Sequence, residues 1–171
     1  MPMQRYKGRR AMAKARFSIT QAIRALRKQG ADFILWLYAF EEKGGTEVAA
    51  RELRVEEHLI VKTLVMEDEA GSPFLVLMHG DRQVSTKALA RVLGVKSVRP
   101  CEPHAAHKHT GYFVGGISPL GTRKPLRVFI EASIKTLPRV YINAGKKGLL
   151  AEMCPEVLEE ILKPEPVSVG I

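Results

Sequence analysis

A glycine-rich stretch at residues 110–121 holds four glycines, one serine and one proline, separated by strand-forming apolar residues. Glycine inside a strand costs conformational entropy, so such a run indicates a backbone that bends sharply or lies against a ligand. The Gly115-Gly116 pair could offer backbone N–H groups to a ligand without side chains in the way, and Pro119 would stiffen the turn that follows. A bulged hairpin without a ligand is the alternative, and the spacing alone does not choose between them.

Lys62 is the second residue whose position suggests chemistry. It lies in the middle of the apolar run 59–66, where both alternating faces are apolar, a pattern typical of a strand buried on both sides. An ammonium in such a strand must pair with a carboxylate, reach solvent or serve a site, because an unpaired buried charge is costly. Lys62 is therefore a candidate active-site residue, and an ion pair near a sheet edge is the alternative.

Other catalytic chemistries find less support. Ser118 lies in G-I-S-P-L instead of the G-x-S-x-G of a nucleophile elbow, and Pro119 lacks the N–H that often completes an oxyanion hole. His104, His107 and His109 have metal-like spacing, but no Cys or carboxylate completes a set with good spacing. The sequence also lacks a Gly-Lys-Ser/Thr phosphate loop. We therefore expect neither a serine nucleophile, a metal nor a cofactor.

The positive charge is concentrated at the N-terminus. The formal net charge is +9, and residues 1–31 carry nine Lys/Arg and no Asp/Glu, which leaves 18 basic and 18 acidic residues in the remainder. Residues 82–147 are a second basic region, with thirteen Lys/Arg against two Glu. This distribution favours a polyphosphate partner such as RNA, although basic tails also serve solubility. The expected RNA-binding residues of the N-terminal arm are Arg5, Lys7, Arg9, Arg10, Lys14 and Arg16.

The length of 171 residues fits one domain with a substantial core. We divide the chain into a basic flexible arm at 1–17, a domain at 18–163 and a frayed tail at 164–171. Two cysteines without a C-x-x-C motif indicate a reducing compartment, and no apolar run reaches transmembrane length. The basic N-terminus lacks the apolar segment of a secretory signal, and a transit peptide is disfavoured. The expected location is the cytoplasm, with no membrane association.

The elements that would position these residues are short and mixed. We expect Ser18 to cap the first helix, Thr46 the second, and either Ser85 or Thr86 the third. Expected helices cover 18–29, 46–53, 85–93, 102–108 and 155–162, and expected strands cover 33–40, 59–66, 74–79, 95–98, 112–117, 126–130 and 140–143. Short strands with irregularly interspersed helices indicate a mixed α/β domain and not a doubly wound one.

The order of residues in the glycine-rich stretch is more specific than its composition. T-G-Y-x-x-G-G-I-S-P-x-G resembles the signature of the YbaK/EbsC family, which are free-standing aminoacyl-tRNA editing domains. Three further segments agree in order: V-K-T-L at 61–64, the early segment 32–38 that ends in Tyr, and N-A-G-K-K-G-L at 143–149. The resemblance extends over residues 18–162, nearly the whole chain.

This resemblance implies a curved, barrel-like mixed sheet surrounded by helices. It also implies that the chain removes a mischarged amino acid from aminoacyl-tRNA, most often cysteine from proline-specific tRNA, beside prolyl-tRNA synthetase. Lys62 followed by Thr63 favours the cysteine type over an alanine type. There are two alternatives. The chain could deacylate another mischarged tRNA, such as alanine on proline-specific tRNA, or it could be a non-catalytic module that binds tRNA or a synthetase. The oligomeric state is not indicated.

The resemblance assigns roles within the site. Lys62 would position the terminal ribose or phosphate, and the N–H groups of Gly115 and Gly116 would hold the developing oxyanion. The expected substrate-binding residues are Tyr38, Thr63, Ile117, Ser118, Pro119, Asn143, Ala144 and Gly145. The chain departs from the family at Asn143 and Ala144, where Ser-Gly is usual, and this leaves the identity of the amino acid open.

Overall fold

The computed structural model describes the backbone of residues 4–7, and both backbone and side chains of residues 18–171. Within these ranges, no helix is both long enough and apolar enough to cross a bilayer. The side chains of Arg5 and Lys7, and all of Arg9, Arg10, Lys14 and Arg16, lie outside the described residues. Their assignment to RNA binding therefore stays a prediction.

The described strands form one mixed sheet. They are β1 (Gln4–Lys7), β2 (Ile34–Leu37), β3 (Ile60–Asp68), β4 (Pro73–His79), β5 (Val98–Pro100), β6 (Arg127–Glu131), β7 (Val140–Lys146), β8 (Leu149–Met153) and β9 (Glu165–Val167). The order is β1-β2-β8-β7-β3-β4-β6-β9, with β5 also paired to β3. The pairs β3–β7, β4–β6 and β6–β9 are parallel, and the others are antiparallel. The predicted single mixed α/β domain is confirmed.

Five α-helices and two 3₁₀-helices of the described residues surround the sheet. They are α1 (Gln21–Lys28), α2 (Gly45–Leu53), α3 (Thr86–Leu93), α4 (Pro103–Thr110) and α5 (Pro155–Leu162), with 3₁₀-helices at Glu57–Leu59 and Ala132–Thr136. Ser85 caps α3 by accepting from the N–H of Ala88, as its position predicts. Thr20, not Ser18, caps α1 by accepting from Ile23 N–H. The prediction that Thr46 caps α2 is also wrong, because α2 follows Gly44 and has no side-chain cap.

The alternation of β3 places its side chains in separate parts of the core. Val61 and Val65 belong to the main core, which also contains the apolar face of α1 and Leu158 of α5. Met66 belongs to a second cluster with α3, and Ile60 to a third cluster with α2. Strand β3 is therefore covered on both faces, as the apolar run predicted, and its side chains are held in place by packing on each side.

The structure corrects two further expectations. Residues 112–117, predicted as a strand, form an irregular loop of turns and bends, because Tyr112 is anchored by a hydrogen bond from its hydroxyl to the carbonyl of Leu120 (2.6 Å) and the chain folds back. The tail is not frayed: β9 pairs with β6, and Glu131 accepts from the N–H groups of Val169 and Gly170. Strand β8, which pairs with both β2 and β7, was not predicted.

Candidate active site

A cavity opens where β3 and β7 separate. The two parallel strands pair only at Ile60 with Tyr141 and at Val61 with Ile142, and β7 then bulges after Asn143. The cavity has a volume of about 350 Å³. Its walls are Tyr38, Phe40, Gly45, Thr46, Ala49, Ile60, Val61, Lys62, Thr63, Val114, Gly115, Ile117, Asn143 and Leu150. A split in a sheet gives backbone and side chains of both strands access to one ligand, so this is the candidate active site.

Lys62 is half-buried in the wall of this cavity. Its Nζ donates to the carbonyl oxygen of Gly80 at 3.2 Å. Desolvation lowers the pKa of the ammonium, and the charges of Glu57 and Asp81 partly oppose that effect. An ammonium has three N–H donors, and Gly80 engages one of them, so Lys62 can offer further donors and a positive charge to a ligand.

The carbonyl of Gly80 is the centre of a small polar network. It also accepts from the hydroxyl of Thr46 at 3.2 Å, and the same hydroxyl lies 2.6 Å from Oε1 of Glu57. A Cβ on Gly80 would lie 2.8 Å from both the Glu57 carbonyl oxygen and Thr46 Oγ1, so a side chain does not fit there. The network therefore fixes the position of the acceptor for Lys62.

Two other cavity residues carry hydroxyl groups. Thr63 Oγ1 is buried and has no hydrogen-bond partner within the described residues, which is unusual for a polar atom without a ligand. Burial raises the pKa of Tyr38, so its hydroxyl stays protonated at neutral pH and can donate. Both residues were predicted to bind substrate, and the structure brings both to the cavity wall with Lys62.

The loop that was predicted to hold an oxyanion closes one side of the cavity. Gly115 has φ of +91° and lines the cavity, a backbone conformation that favours glycine. The N–H of Gly116 donates to the carbonyl of Phe113 at 2.9 Å, and a Cβ there would lie 2.9 Å from the backbone nitrogen of Lys147. Gly116 therefore closes the turn and packs against the β7–β8 turn with its N–H engaged within the loop, and its role as an oxyanion donor stays a prediction.

Asn143 ties this loop to the bulge of β7. Its Nδ2 donates to the carbonyls of Gly115 (3.3 Å) and Lys146 (3.1 Å), and its Oδ1 accepts from the N–H groups of Gly145 (2.7 Å) and Lys146 (3.2 Å). An amide can satisfy both sets at once because it has two donors and an acceptor oxygen with two lone pairs. Asn143 reaches the cavity as predicted, but its polar atoms are used to hold backbone in place.

The other predicted substrate-binding residues divide in two. Ile117 lines the cavity. Ser118 is buried and accepts from the N–H of Leu120, and Pro119 is also buried. Ala144 is buried in the main core, and Gly145 packs against Tyr112 and Thr20, where a Cβ would be 2.7 Å from Tyr112 Cε1. These four residues shape the loop and the bulge and are absent from the cavity lining, so their role in substrate binding stays a prediction.

Sequence reasoning missed the residues that support Lys62. Thr46, Glu57 and Gly80 are far apart in sequence, so no local pattern connects them to Lys62. The aromatic ring of Phe40 was also missed, and Lys147 Nζ lies 5.0 Å from its centroid. The buried Lys62 itself was the available signal, because a half-buried ammonium must have an acceptor nearby.

The histidines do not form an evident metal centre in the described residues. His58, His79 and Asp81 have ligand atoms within 4.8 Å of one another. However, His79 Nδ1 donates to the carbonyl of His58 at 2.8 Å, and its Nε2 lies 2.7 Å from Ser133 Oγ. Both ring nitrogens of His79 are therefore already bonded, its ring stacks on that of His58 with centroids 3.7 Å apart, and His58 Nδ1 lies 2.9 Å from Oδ1 of Asp81. His107 of α4 stacks on Phe113 instead.

Comparison with known proteins defines the class of this domain. Residues 41–161 match the family described as the aminoacyl-tRNA editing domain, and the chain belongs to this family. The matched range includes twelve of the fourteen residues that line the cavity, all except Tyr38 and Phe40.

Individual relatives agree with this class. The chain is 27% identical over 140 residues to EbsC of Enterococcus faecalis, described as a candidate Cys-tRNA(Pro)/Cys-tRNA(Cys) deacylase, over 81% of this chain and 85% of EbsC. It is 33% identical over 112 residues to the proline–tRNA ligase of Thermodesulfovibrio yellowstonii, covering 66% of this chain and 19% of the ligase. A solved structure described as a candidate trans-editing enzyme for prolyl tRNA synthetase has a TM-score of 0.76 at 23% identity, over 90% of this chain and 99% of that chain. The resemblance to the YbaK/EbsC family is confirmed.

Proposed function

We propose that this protein deacylates mischarged tRNA, with cysteine on proline-specific tRNA as the preferred substrate. One observation carries the proposal: the cavity has a lysine and backbone donors, but its fourteen described lining residues include no His, Cys, Asp or Glu. A hydrolase that activates water or a protein nucleophile needs a base close to the reacting atom. The two remaining titratable residues of the lining suit that role poorly, because Lys62 donates to the Gly80 carbonyl and burial raises the pKa of Tyr38. The cavity suits a reaction in which the substrate supplies its own nucleophile.

The aminoacyl ester of cysteine meets that requirement. Its thiolate attacks the carbonyl carbon of its own ester, the C–S bond forms, and the C–O bond to the terminal ribose breaks. The ribose oxygen leaves and takes up the proton that the thiol released, so the products are a free tRNA end and cysteine thiolactone. Water then opens the thiolactone in solution.

The cavity residues have distinct roles in this reaction. Gly115, whose φ is positive, would donate its N–H to the oxyanion that develops on the carbonyl. Lys62, held by Gly80, would bind the terminal ribose or its phosphate and orient the ester. The hydroxyls of Thr63 and Tyr38 would meet the amino acid, while Ala49 and Leu150 supply an apolar wall.

The preferred test is a deacylation assay with one tRNA charged separately with cysteine, serine and alanine. We expect the cysteine ester to be cleaved and the serine ester to react far more slowly, because a hydroxyl is a much poorer nucleophile near neutral pH. Equal rates for cysteine and serine would overturn the thiol mechanism and require a base outside the cavity lining. Cleavage of alanine alone would favour the alanine type of editing.

Two further parts of the proposal concern the setting. The similarity to a segment of proline–tRNA ligase supports action beside prolyl-tRNA synthetase, in the cytoplasm where the tRNA is charged. The basic arm and residues 82–147 would hold the acceptor stem through its phosphates without reading its sequence. If no charged tRNA is cleaved but tRNA still binds, the chain is a binding module instead.

A further inference from the structure

A second depression lies beside the active-site cavity, on the other side of the glycine-rich loop. It has a volume of about 650 Å³ and is lined by Pro103, Phe113, Val114, Gly116, Gly145, Lys146 and Lys147. Val114 belongs to both linings, so the two spaces meet at this residue. A ligand that occupies the cavity can therefore extend past Val114 into the depression.

Phe113 is the prominent feature of the depression. Its side chain is 71% exposed, which is unusual for a large apolar residue. The ring of His107 stacks against Phe113 with centroids 4.1 Å apart and planes at 10°. His107 is in turn held by its Nδ1, which lies 3.2 Å from the carbonyl oxygen of Tyr112. One face of Phe113 is thus supported by a fixed ring, and the high exposure leaves the other face open to a planar ligand.

Two lysines and no acidic residue line the depression together with Phe113. Residues 103–124 contain Lys108, Arg123 and Lys124 and no acidic residue. Lys146 and Lys147 line the depression, and Lys147 pairs with Glu42 at 2.7 Å. An exposed aromatic ring with lysines beside it is the combination that binds unpaired nucleotides, with the ring stacking on a base and the lysines contacting phosphates.

We propose that Phe113 is the stacking platform for the unpaired nucleobase at the 3′ end of the RNA. This inference rests on the proposed function, because the aminoacyl group would occupy the cavity and the base of the same nucleotide would lie across Val114. Stacking on an aromatic face tolerates any base, so Phe113 contributes affinity and orientation but no base specificity. The base extends the stack of His107 and Phe113 by one ring.

The test uses an uncharged RNA hairpin that mimics an acceptor stem, with a short unpaired 3′ end and 2-aminopurine at the last position. Binding is followed by anisotropy of a label on the loop and by quenching of the 2-aminopurine. We expect Phe113→Ala to raise Kd by about 5- to 150-fold and to abolish the quenching, because it removes one stacking interaction. Phe113→Trp should keep both signals. Val92→Ala, which also removes an exposed apolar side chain, is the matched control and should change neither.

Two further arms separate the possible results. A hairpin with a blunt end should bind wild type and Phe113→Ala equally, since it offers no unpaired base. Equal affinity of both proteins for the hairpin with the unpaired end would overturn the proposal, as would a Phe113→Ala variant that loses affinity only for prolyl-tRNA synthetase. Binding of uncharged RNA requires no deacylation. If the wild type fails to deacylate any charged tRNA, the proposed function is refuted, and the binding experiment still tests the role of Phe113 independently.

Discussion

The ammonium of Lys62 on β3 donates to the backbone carbonyl of Gly80, which follows the end of the neighbouring strand β4, at 3.2 Å. A backbone acceptor at the end of a packed strand, held by the hydrogen bond from Gly80 N–H to the Ile60 carbonyl (2.7 Å), cannot rotate away as a side-chain carboxylate could. The position of the positive charge in the cavity is therefore set by the sheet, and Lys62 keeps donors for a ligand instead of forming a closed ion pair.

Lys62→Ala should lower the rate of deacylation by about two to three orders of magnitude, which is typical of removing one preorganised electrostatic group. The fold should survive, because Lys62 is half-buried and loses a desolvated charge. Deacylation kinetics and thermal unfolding would measure the two effects. Lys28→Ala, at an exposed position on α1 outside both the arm at 1–17 and residues 82–147, is the control and should retain full activity. A folded Lys62→Ala protein with wild-type activity would remove Lys62 from the mechanism.

Thr46→Val should lower kcat by about tenfold, because it removes the hydroxyl that binds both the Gly80 carbonyl and Glu57 while keeping nearly the same volume. Thr46→Ser keeps that hydroxyl and should remain close to wild type. The comparison of kcat for the two variants separates the hydrogen bonds from the packing of the side chain. Loss of kcat in Thr46→Ser together with a wild-type kcat in Thr46→Val would mean that the methyl group, and not the network, matters.

His79 should make stability depend on pH. Burial is the main effect on its pKa and lowers it below 6.5, and the charge of His58 lowers it further. The hydrogen bond to the His58 carbonyl and the charges of Asp81 and Glu131 raise the pKa and partly offset that change. The unfolded state therefore binds more protons than the folded state between the folded pKa and 6.5. Stability from this residue is complete above pH 6.5 and falls as the pH drops below that value.

Urea unfolding measured between about pH 5 and 8, the range in which histidine titrates, would reveal this dependence. His79→Gln removes the titrating group, so the slope of unfolding free energy against pH below 6.5 should become shallower, even if the variant is less stable overall. His104→Gln, at an exposed position, should leave the slope unchanged. An unaltered slope in His79→Gln would show that other groups dominate the acid sensitivity.

The basic arm should contribute to RNA affinity through phosphates. Replacing Arg9, Arg10, Lys14 and Arg16 with Gln leaves β1 in place and should weaken tRNA binding, with the slope of log affinity against log salt flattening by roughly 0.7 to 0.9 for each phosphate that the variant no longer neutralises. The decrease in affinity should be similar for different tRNA sequences. Titrations at several salt concentrations measure the slope. A slope equal to that of the wild type would assign binding to the basic region at 82–147 alone.

The sequence by itself determined the class of the domain and the position of its main polar residue. The apolar run around Lys62 predicted a strand covered on both faces, since period-two alternation depends only on neighbouring residues. The same run predicted that the Lys62 ammonium is partly removed from water. The motif around Gly115 and Gly116, together with three other segments in order, identified the family that the comparisons confirm. The cap at Ser85 and the start of α5 at Pro155 could also be predicted from neighbouring residues, because capping and an N-terminal proline act within one turn.

Only the tertiary structure decided which residues meet at the site. Thr46, Glu57 and Gly80 converge on Lys62 because β3 pairs with β4 and α2 packs beside them, and no local pattern encodes contacts between distant segments. The same holds for residues 112–117, where strand-forming side chains became a loop because Tyr112 is anchored to Leu120 and Asn143 binds Gly115. Long-range hydrogen bonds and packing override local propensity there, and they place Gly115 in the cavity wall while engaging the N–H of Gly116 within the loop.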